Sequence, residues 1–281
     1  MRDDMLPTFL IIGAMKCGTT SLYSYLDEHP EVSMSSVKEP NFFLEREDLS
    51  LEEYKSLFQG EAKAYGEAST GYTKYPLMET DVEYMRDLLP GAKLIYLVRD
   101  PLDRIVSHFL DNASRGIERE SLETVLQEEF DQNHYVCCSR YFMQLERYRQ
   151  FYSDDQILVL PAKRLREDRR ATLTDVFKFI GVDPAYWSPA YEEEKHKTSQ
   201  KHIPVQPARY VAGSTFVQWV KDLLPSTVVE TIRGAVRKPV SRPEIPAQIR
   251  KRLTGYLQDD VRQLRRFADY SFGHWMLYDE G

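Results

Sequence analysis

Cysteine and net positive charge are both scarce in this sequence, and each shortage excludes a class of protein. The 281 residues include three cysteines, two of them adjacent at Cys137 and Cys138, a pattern that predicts no disulfide framework and favours a reducing compartment. The formal net charge is -7 at pH 7. Because affinity for a nucleic-acid backbone depends on lysine and arginine, this charge argues against a nucleic-acid partner, and any anion site must be local.

Long hydrophobic runs and metal-ligand pairs are missing as well. The N-terminal segment MRDDMLPTFLIIG holds a few consecutive apolar residues beside acidic ones, too few for a signal-peptide core or a membrane span. We therefore expect a cytoplasmic protein with no membrane span. The six histidines form no His-x-x-x-His pair and the cysteines form no Cys-x-x-Cys pair, so the sequence predicts no metal site.

Short apolar runs followed by helical patterns recur along the chain. The run PTFLIIG precedes TTSLYSYLDEHP, LIYLV precedes a helix beginning at Pro101, and QILVL precedes TLTDVFKFIG. These repeated strand-then-helix units predict an α/β fold, a P-loop-like parallel β-sheet flanked by helices on both faces. With 42% hydrophobic residues, the chain can bury one large core, and we expect a single domain over residues 1–281.

The remaining segments are assigned from periodicity and composition. Helical patterns cover residues 51–58, 82–89, 122–130 and 141–151, and a C-terminal helix is predicted over residues 247–267. Residues 184–246 are richer in proline, lysine and serine. That composition predicts a long surface loop closing over a site rather than a second domain.

The segment GAMKCGTT at residues 13–20 has the spacing of a phosphate-binding loop but a displaced lysine. Gly13 and Gly18 occupy the glycine positions of G-x-x-x-x-G-K-[ST], whereas Thr19 stands where that motif has its lysine. A helix that begins near Thr19 still directs N–H groups toward an anion. Lys16 lies inside the loop instead, where its ammonium can neutralise charge on a leaving oxygen.

Two of these segments together resemble a known family. KCGTTSL and LIYLVRDPLDRIVSHF are similar to the cofactor signatures of sulfotransferases that use 3′-phosphoadenosine 5′-phosphosulfate (PAPS). KEPNFFLE and EASTGYTKYP resemble segments of the branch that contains heparan sulfate sulfotransferases and their bacterial relatives. The resemblance covers residues 7–181 in the family's motif order, with weaker similarity at residues 195–201 and in the terminal FGHW.

The resemblance implies a role for each donor-site residue. Lys16 matches the lysine that contacts the sulfonate-bearing phosphate, and the loop around the 5′-phosphate comprises Cys17, Gly18, Thr19, Thr20 and Ser21. Arg99 and Ser107 match the pair that binds the 3′-phosphate. The residue pattern agrees with these roles, because Arg99 ends a predicted strand where ligands of parallel sheets bind, and Ser107 lies two helical turns further on.

The same resemblance implies the acceptor-side chemistry. Glu39 matches the general base that removes the proton of an acceptor hydroxyl, and Lys38 matches a lysine near the transferred sulfonate. The reaction needs both groups, because an alcohol is a weak nucleophile until its proton has an acceptor and the moving sulfonate needs positive neighbours. The family transfers sulfonate without a metal. Asn41 stands where many relatives have histidine, at a substrate-side position.

Structural alternatives remain for several of these residues. Arg99 is also suited to an ion pair with Asp100 or Asp103, and Glu39 to a solvated surface position. His108 is a rival base, although a lone histidine in a helix is more often structural. A polar loop carries three further lysines, which either form a lid over the phosphates or are simply solvated: Lys195, Lys197 and Lys201.

Two other functions stay open at this point. One is a small-molecule kinase, which predicts Mg²⁺-dependent consumption of ATP, and the other is a non-catalytic anion-binding domain. For a sulfotransferase, the family implies a small metabolite, a saccharide or a carrier-tethered acyl chain as acceptor. The acidic composition argues mildly against a long heparin-like acceptor, and residues 114–152 with the loop near Lys201 are expected to shape the acceptor cleft.

Overall fold

The computed structural model describes residues 5–45, 49–192, 202–204, 237–239 and 242–275. Within these ranges a five-stranded parallel sheet has the order β2-β3-β1-β4-β5. Its strands are β1 Phe9–Gly13, β2 Val32–Met34, β3 Ala64–Ala68, β4 Lys93–Val98 and β5 Ile157–Pro161. Two short strands, β6 His202–Pro204 and β7 Arg237–Pro239, pair antiparallel in a separate sheet.

Strand β1 lies at the centre of the sheet and is buried along its whole length. The chain leaves β1 toward β2 and β3, whereas it leaves β4 toward β5. The carboxyl ends of β1 and β4 therefore frame a topological switch point, where open parallel sheets bind their ligands. This arrangement confirms the predicted parallel sheet flanked by helices.

The described helices follow the strands in the predicted alternation. They are α1 Thr19–Asp27, α2 Leu51–Ser56, α3 Val82–Leu88, α4 Pro101–Ser114, α5 Leu122–Val125, α6 His134–Cys137, α7 Tyr141–Arg149, α8 Ala162–Glu167, α9 Arg169–Ile180 and α10 Ala247–Ala268. Short 3₁₀ helices cover Thr70–Thr73, Asp154–Gln156 and Pro189–Glu192. Helix α4 begins at Pro101 as predicted, with the Asp100 side chain accepting the Asp103 N–H at 3.0 Å.

The helix predicted over residues 122–130 is wrong in its length. Helix α5 ends at Val125, and α6 follows only at His134. The buried Asn133 side chain separates the two: its Nδ2 donates to the Val125 carbonyl at 2.7 Å, and its Oδ1 accepts the Tyr135 N–H at 3.0 Å. An asparagine side chain that hydrogen-bonds nearby backbone groups in this way competes with the backbone hydrogen bonds of a continuous helix.

The C-terminal helix α10 is confirmed and is joined to α7 by a buried carboxylate. Asp260 accepts the N–H groups of Phe142 and Met143 at 3.0 and 2.8 Å, and so caps a helix that has no side-chain cap of its own. Burial raises the pKa of Asp260 to about 6. Among the described helices, none combines the length and the hydropathy that a membrane crossing needs.

Candidate active site

A cavity of about 330 Å³ lies beyond the carboxyl ends of the sheet. Residues that follow four different strands line it: Met15, Lys16, Gly18, Thr19, Thr20, Ser21, Glu39, Thr70, Lys74, Ser107, Asp111 and Arg115. Most of the predicted site residues therefore face one space, although their motifs are far apart in the sequence. Cys17, Lys38 and Arg99 were also predicted to belong to the site, but they are not among the lining residues.

The loop between β1 and α1 presents an open helix N-terminus to the cavity. Gly18 adopts the left-handed conformation with φ 98° and provides no side-chain cap for α1, so the first N–H groups of the helix remain available to an anion. Gly13 is required for space, since a Cβ there would lie 1.9 Å from Thr73 Oγ1. Cys17 is buried below the loop, with its sulfur 3.6 Å from the Tyr141 hydroxyl.

Lys16 is attached to the opposite wall of the cavity. Its ammonium lies 3.1 Å from Asp111 Oδ1, and the two side chains are only 20% and 13% exposed. Arg115 approaches the other carboxylate oxygen of Asp111 at 3.8 Å. The loop lysine is therefore paired with α4, and an arriving anion would exchange with a carboxylate already in place.

Helix α4 lines the cavity with one stripe of side chains. Ser107, Asp111 and Arg115 are four residues apart and so share a face. The other side of the helix is anchored by Arg104, which is fully buried and donates to Ser139 Oγ and to the Tyr135 carbonyl, both at 2.6 Å. This anchor fixes the stripe against the loop after β1.

Arg99 connects the loop to α4 rather than facing the cavity. Its guanidinium donates to the Lys16 carbonyl at 3.1 Å and to the Asp103 carbonyl at 2.9 Å. It also forms an ion pair with the Asp103 carboxylate at 3.7 Å. The structural alternative, an ion pair with Asp103, is thus observed, and the same contacts hold the Lys16 backbone in position.

Glu39 lies across the cavity from this loop and has a left-handed backbone with φ 61°. Its N–H donates to the Ala68 carbonyl at 3.0 Å, and its carboxylate accepts from the Lys38 ammonium at 2.8 Å. The Glu39 side chain is 36% exposed, so its carboxylate faces a cavity open to solvent. Lys38 contacts this carboxylate.

A chain of hydrogen bonds that runs from the surface into the core supports the Glu39 segment. Asn41, also left-handed with φ 55°, donates through Nδ2 to the Glu39 carbonyl and through its N–H to Ser69 Oγ, both at 3.0 Å. The Ser69 hydroxyl donates to Glu67 at 2.7 Å. Asn41, for which the family resemblance implied a substrate-side position, supports the Glu39 backbone and is not among the lining residues.

Glu67 is the deepest member of this chain and is fully buried. Besides Ser69, it accepts the hydroxyls of Tyr54 and Tyr72, each at 2.8 Å. Burial raises the pKa of the Glu67 carboxyl, although the three donated hydrogen bonds oppose this effect. Nothing in the sequence analysis assigned Glu67 a role, because glutamate inside a strand is commonly solvent-facing.

His108, the rival base, lies on the anchored side of α4. It is 3% exposed, and its Nδ1 lies 3.5 Å from the Arg104 guanidinium. Burial, with Arg104 beside it, holds the pKa of His108 far below its usual range. A neutral imidazole with so little affinity for a proton, outside the cavity lining, is a poor general base.

Three predicted residues, Lys195, Lys197 and Lys201, lie outside the described residues. Thr70, Lys74, Asp111 and Arg115 were not predicted and line the cavity. The i, i+4 spacing from Ser107 to Asp111 and Arg115 would have revealed two of them. In the part of the chain that the structure describes, no group of three or more His, Cys, Asp or Glu side chains is arranged to hold a metal ion.

Residues 6–210 match the family model described as "Sulfotransferase domain". The human protein "Bifunctional heparan sulfate N-deacetylase/N-sulfotransferase 2" is 27% identical over 201 residues, which cover 64% of this chain and 22% of that protein. Mouse "Carbohydrate sulfotransferase 15" is 25% identical, with coverage of 64% and 44%. The similarity to each of these curated relatives thus spans less than half of the relative's length.

A solved structure shows the same fold. The crystal structure of a sulfotransferase from Alicyclobacillus acidocaldarius superposes with a TM-score of 0.69 and covers 96% of this chain and 98% of that one. The two sequences are 23% identical. At this identity the likeness shows the fold alone.

Proposed function

The chain belongs to the sulfotransferase domain family, and from this premise we propose that it transfers a sulfonate group from PAPS to an acceptor hydroxyl. One observation carries the proposal. A single cavity is lined by the open N-terminus of α1 together with Lys16, Glu39 and Ser107, which come from three separate sequence motifs. Its donor set of helix N–H groups, hydroxyls and cations suits a doubly anionic phosphosulfate.

The donor side binds the nucleotide in this proposal. The N–H groups and hydroxyls of Thr19, Thr20 and Ser21 bind the 5′-phosphate, and Ser107 binds the 3′-phosphate. Lys16 exchanges its contact with Asp111 for the oxygen that bridges phosphorus and sulfur. Arg99 joins the 3′-phosphate by exchanging its contact with Asp103. Cys17 takes part through its backbone in the loop, because its thiol is buried.

The reaction is an in-line displacement at sulfur. Glu39 accepts the hydroxyl proton while the acceptor oxygen forms a bond to sulfur and the bond between sulfur and the bridging oxygen breaks. 3′-Phosphoadenosine 5′-phosphate (PAP) leaves with the charge that Lys16 stabilises. Lys38, whose ammonium lies 2.8 Å from the Glu39 carboxylate, orients the base and assists Lys16. No step requires a metal ion, in line with the family resemblance.

Three acceptor classes remain candidates: a small metabolite, a saccharide and a carrier-protein-tethered acyl chain. The names of the two curated relatives, one for heparan sulfate and one for carbohydrate, favour a saccharide. Because one name specifies an N-sulfotransferase, an amine acceptor belongs in the same screen. We also propose a cytoplasmic location, since all three cysteines are free and buried, as is usual in a reducing compartment.

Isothermal titration tests the donor assignment before any acceptor is known. PAP is titrated into the protein, with adenosine 5′-phosphosulfate and ATP plus Mg²⁺ as comparison ligands. We expect tight binding of PAP alone and a loss of about tenfold in Ser107→Ala, the usual effect of removing one hydrogen bond to a charged group. Preference for ATP plus Mg²⁺ would instead establish the kinase alternative.

The matched control is Ser56→Ala, because the Ser56 hydroxyl donates to the Glu53 carbonyl of its own helix and does not line the cavity. This variant should bind PAP as the wild type does. Equal losses in both serine variants would contradict the assignment of Ser107.

A further inference from the structure

Lys74 lines the cavity together with Lys16 and Glu39, although neither the loop motif nor the family resemblance gives it a role. It follows the 3₁₀ helix Thr70–Thr73 after β3, and its N–H donates to the Gly71 carbonyl at 3.2 Å. This backbone contact fixes where the side chain leaves the main chain. The residue therefore enters the cavity from the strand next to β1.

The cations of the cavity differ in their partners. Lys16 and Arg115 both approach Asp111, and Arg115 is 62% exposed. Among the residues that the structure describes, no carboxylate lies within ion-pair distance of the Lys74 ammonium. Lys74 thus has charge available for a guest, whereas the other two already face an internal carboxylate.

The surroundings of Lys74 make an anionic guest favourable. Burial lowers the pKa of Lys74, Arg104 and Arg115 act in the same direction, and Glu39 and Cys138 oppose them. A half-buried ammonium without a close partner costs free energy, which an anion bound beside it offsets. Lys38 has no such need, because its ammonium already contacts Glu39 at 2.8 Å.

We propose that Lys74 is a catalytic residue that binds the sulfonate oxygens of the donor and stabilises them during transfer, an assignment that rests on the proposed function. Sulfur moves from an oxygen beside Lys16 to an acceptor oxygen beside Glu39, and Lys74 shares the cavity with both. Lys74 forms and breaks no covalent bond and keeps its proton. The acceptor proton goes to Glu39, and the electron pair of the broken bond goes to the phosphate of PAP.

A comparison of two ligands isolates this contact without an acceptor. PAP and PAPS carry equal charge at about pH 8, above the second phosphate pKa near 6, but only PAPS has sulfonate oxygens. Both are titrated into the wild type and into Lys74→Met, which keeps the unbranched side chain but removes its ammonium group. We expect PAPS affinity to fall about tenfold or more and PAP affinity to stay unchanged, since one charge-assisted contact is lost.

Two further variants complete the experiment. Lys63→Met is the matched control, because the Lys63 side chain is 65% exposed and pairs with Glu31, and both of its affinities should match the wild type. Lys74→Arg keeps the charge and should retain most of the preference for PAPS over PAP. Retained PAP binding in Lys74→Met also shows that this variant folds.

The outcomes separate this assignment from the proposed function. Equal losses for PAP and PAPS in Lys74→Met, or no loss for either, would overturn the role of Lys74 while leaving the sulfotransferase proposal intact. A Lys74→Arg variant that loses PAPS affinity as completely as Lys74→Met would also count against a charge contact. If the wild type binds neither PAP nor PAPS, the proposed function and the Lys74 assignment are overturned together.

Discussion

The two sides of the cavity are built in different ways. The 5′-phosphate part of the donor side is a continuous segment, residues 13–21, whose anion-binding groups include the N–H donors of the α1 N-terminus, while Ser107 of α4 lines the same cavity. The base side joins Glu39 to Asn41, Ser69 and Glu67 through side-chain hydrogen bonds across two segments. A site formed by backbone N–H groups needs glycine wherever an added Cβ would clash. A base site held by side-chain hydrogen bonds depends instead on particular polar atoms.

Both sides contain non-glycine residues with left-handed backbone, namely Lys16 at φ 70°, Glu39 at φ 61° and Asn41 at φ 55°. Such conformations cost about 1 to 3 kcal/mol each and persist where surrounding contacts fix them. On the donor side the fixing contact is the Arg99 bond to the Lys16 carbonyl. On the base side it is the Asn41 bond to the Glu39 carbonyl. The comparison can be tested by changes on each side.

Glu39→Gln should have the largest effect on turnover and none on donor binding. Removing the proton acceptor is expected to lower kcat by about 10³-fold, within the range for general-base residues, while PAP affinity stays at the wild-type value. The measurement is PAP release from PAPS in the presence of acceptor, paired with PAP titration. Glu52→Gln, at an 80% exposed side chain, is the control. A loss confined to PAP affinity would move Glu39 to the donor side.

Lys16→Ala should lower turnover by about 10²-fold, the scale of losing one charge-stabilising group at a leaving oxygen. Thermal unfolding should change far less than turnover, because Asp111 keeps the approach of Arg115 at 3.8 Å when its ion pair with Lys16 is lost. The same assay, run beside a melting curve, tests both statements. Full activity in this variant would remove Lys16 from the mechanism.

Gly13→Ala should destabilise the fold by about 2 kcal/mol more than Gly116→Ala, because a buried clash is added to the cost of an alanine at positive φ. At Gly13 the new Cβ would meet Thr73 Oγ1, which donates to the Ile12 carbonyl at 3.0 Å. At Gly116, also at positive φ, no heavy atom lies within 4 Å. Urea unfolding of both variants gives the difference, and equal stabilities would show that space at Gly13 is not limiting.

Ser69→Ala should have the smallest effect, about a tenfold loss in kcat, as expected when a reacting group is displaced but still present. The substitution removes the acceptor of the Asn41 N–H and one donor to Glu67. PAP affinity should not change, because Ser69 supports the base side alone. An equal loss of PAP affinity would show that the donor side and the base side are coupled.

Much of the architecture could be predicted because local and global patterns agree. Strands β1, β4 and β5 each contain an uninterrupted apolar run, and α4 carries both Asp100 and Pro101 at its start. Strand β3 was missed because AYGEA places a glycine and a glutamate inside the strand. Strand β2 has three residues, too few for a period to be visible. That the whole chain forms one domain stays a prediction.

The site residues also divide into those that a local motif predicts and those that only the fold brings together. Residues of the continuous loop were assigned from one motif, and apart from the buried Cys17 they face the cavity. Lys74 and Glu67 were missed because only tertiary structure brings them to the Glu39 side of the cavity, whereas Asp111 was missed although its spacing from Ser107 indicates it. A carboxylate in a strand is solvated in most sheets, and only the hydroxyls of Tyr54 and Tyr72, far apart from each other in sequence, identify Glu67 as buried.

The contact between Lys16 and Asp111 bears on how the protein discriminates among the small anions of its surroundings. Inorganic phosphate or sulfate that approaches Lys16 alone competes with a carboxylate fixed on the same molecule, at a high effective concentration. A nucleotide that engages the α1 N-terminus and α4 at once gains several contacts for the one it displaces. The internal carboxylate thereby selects ligands that bind at several points and rejects those that bind at one.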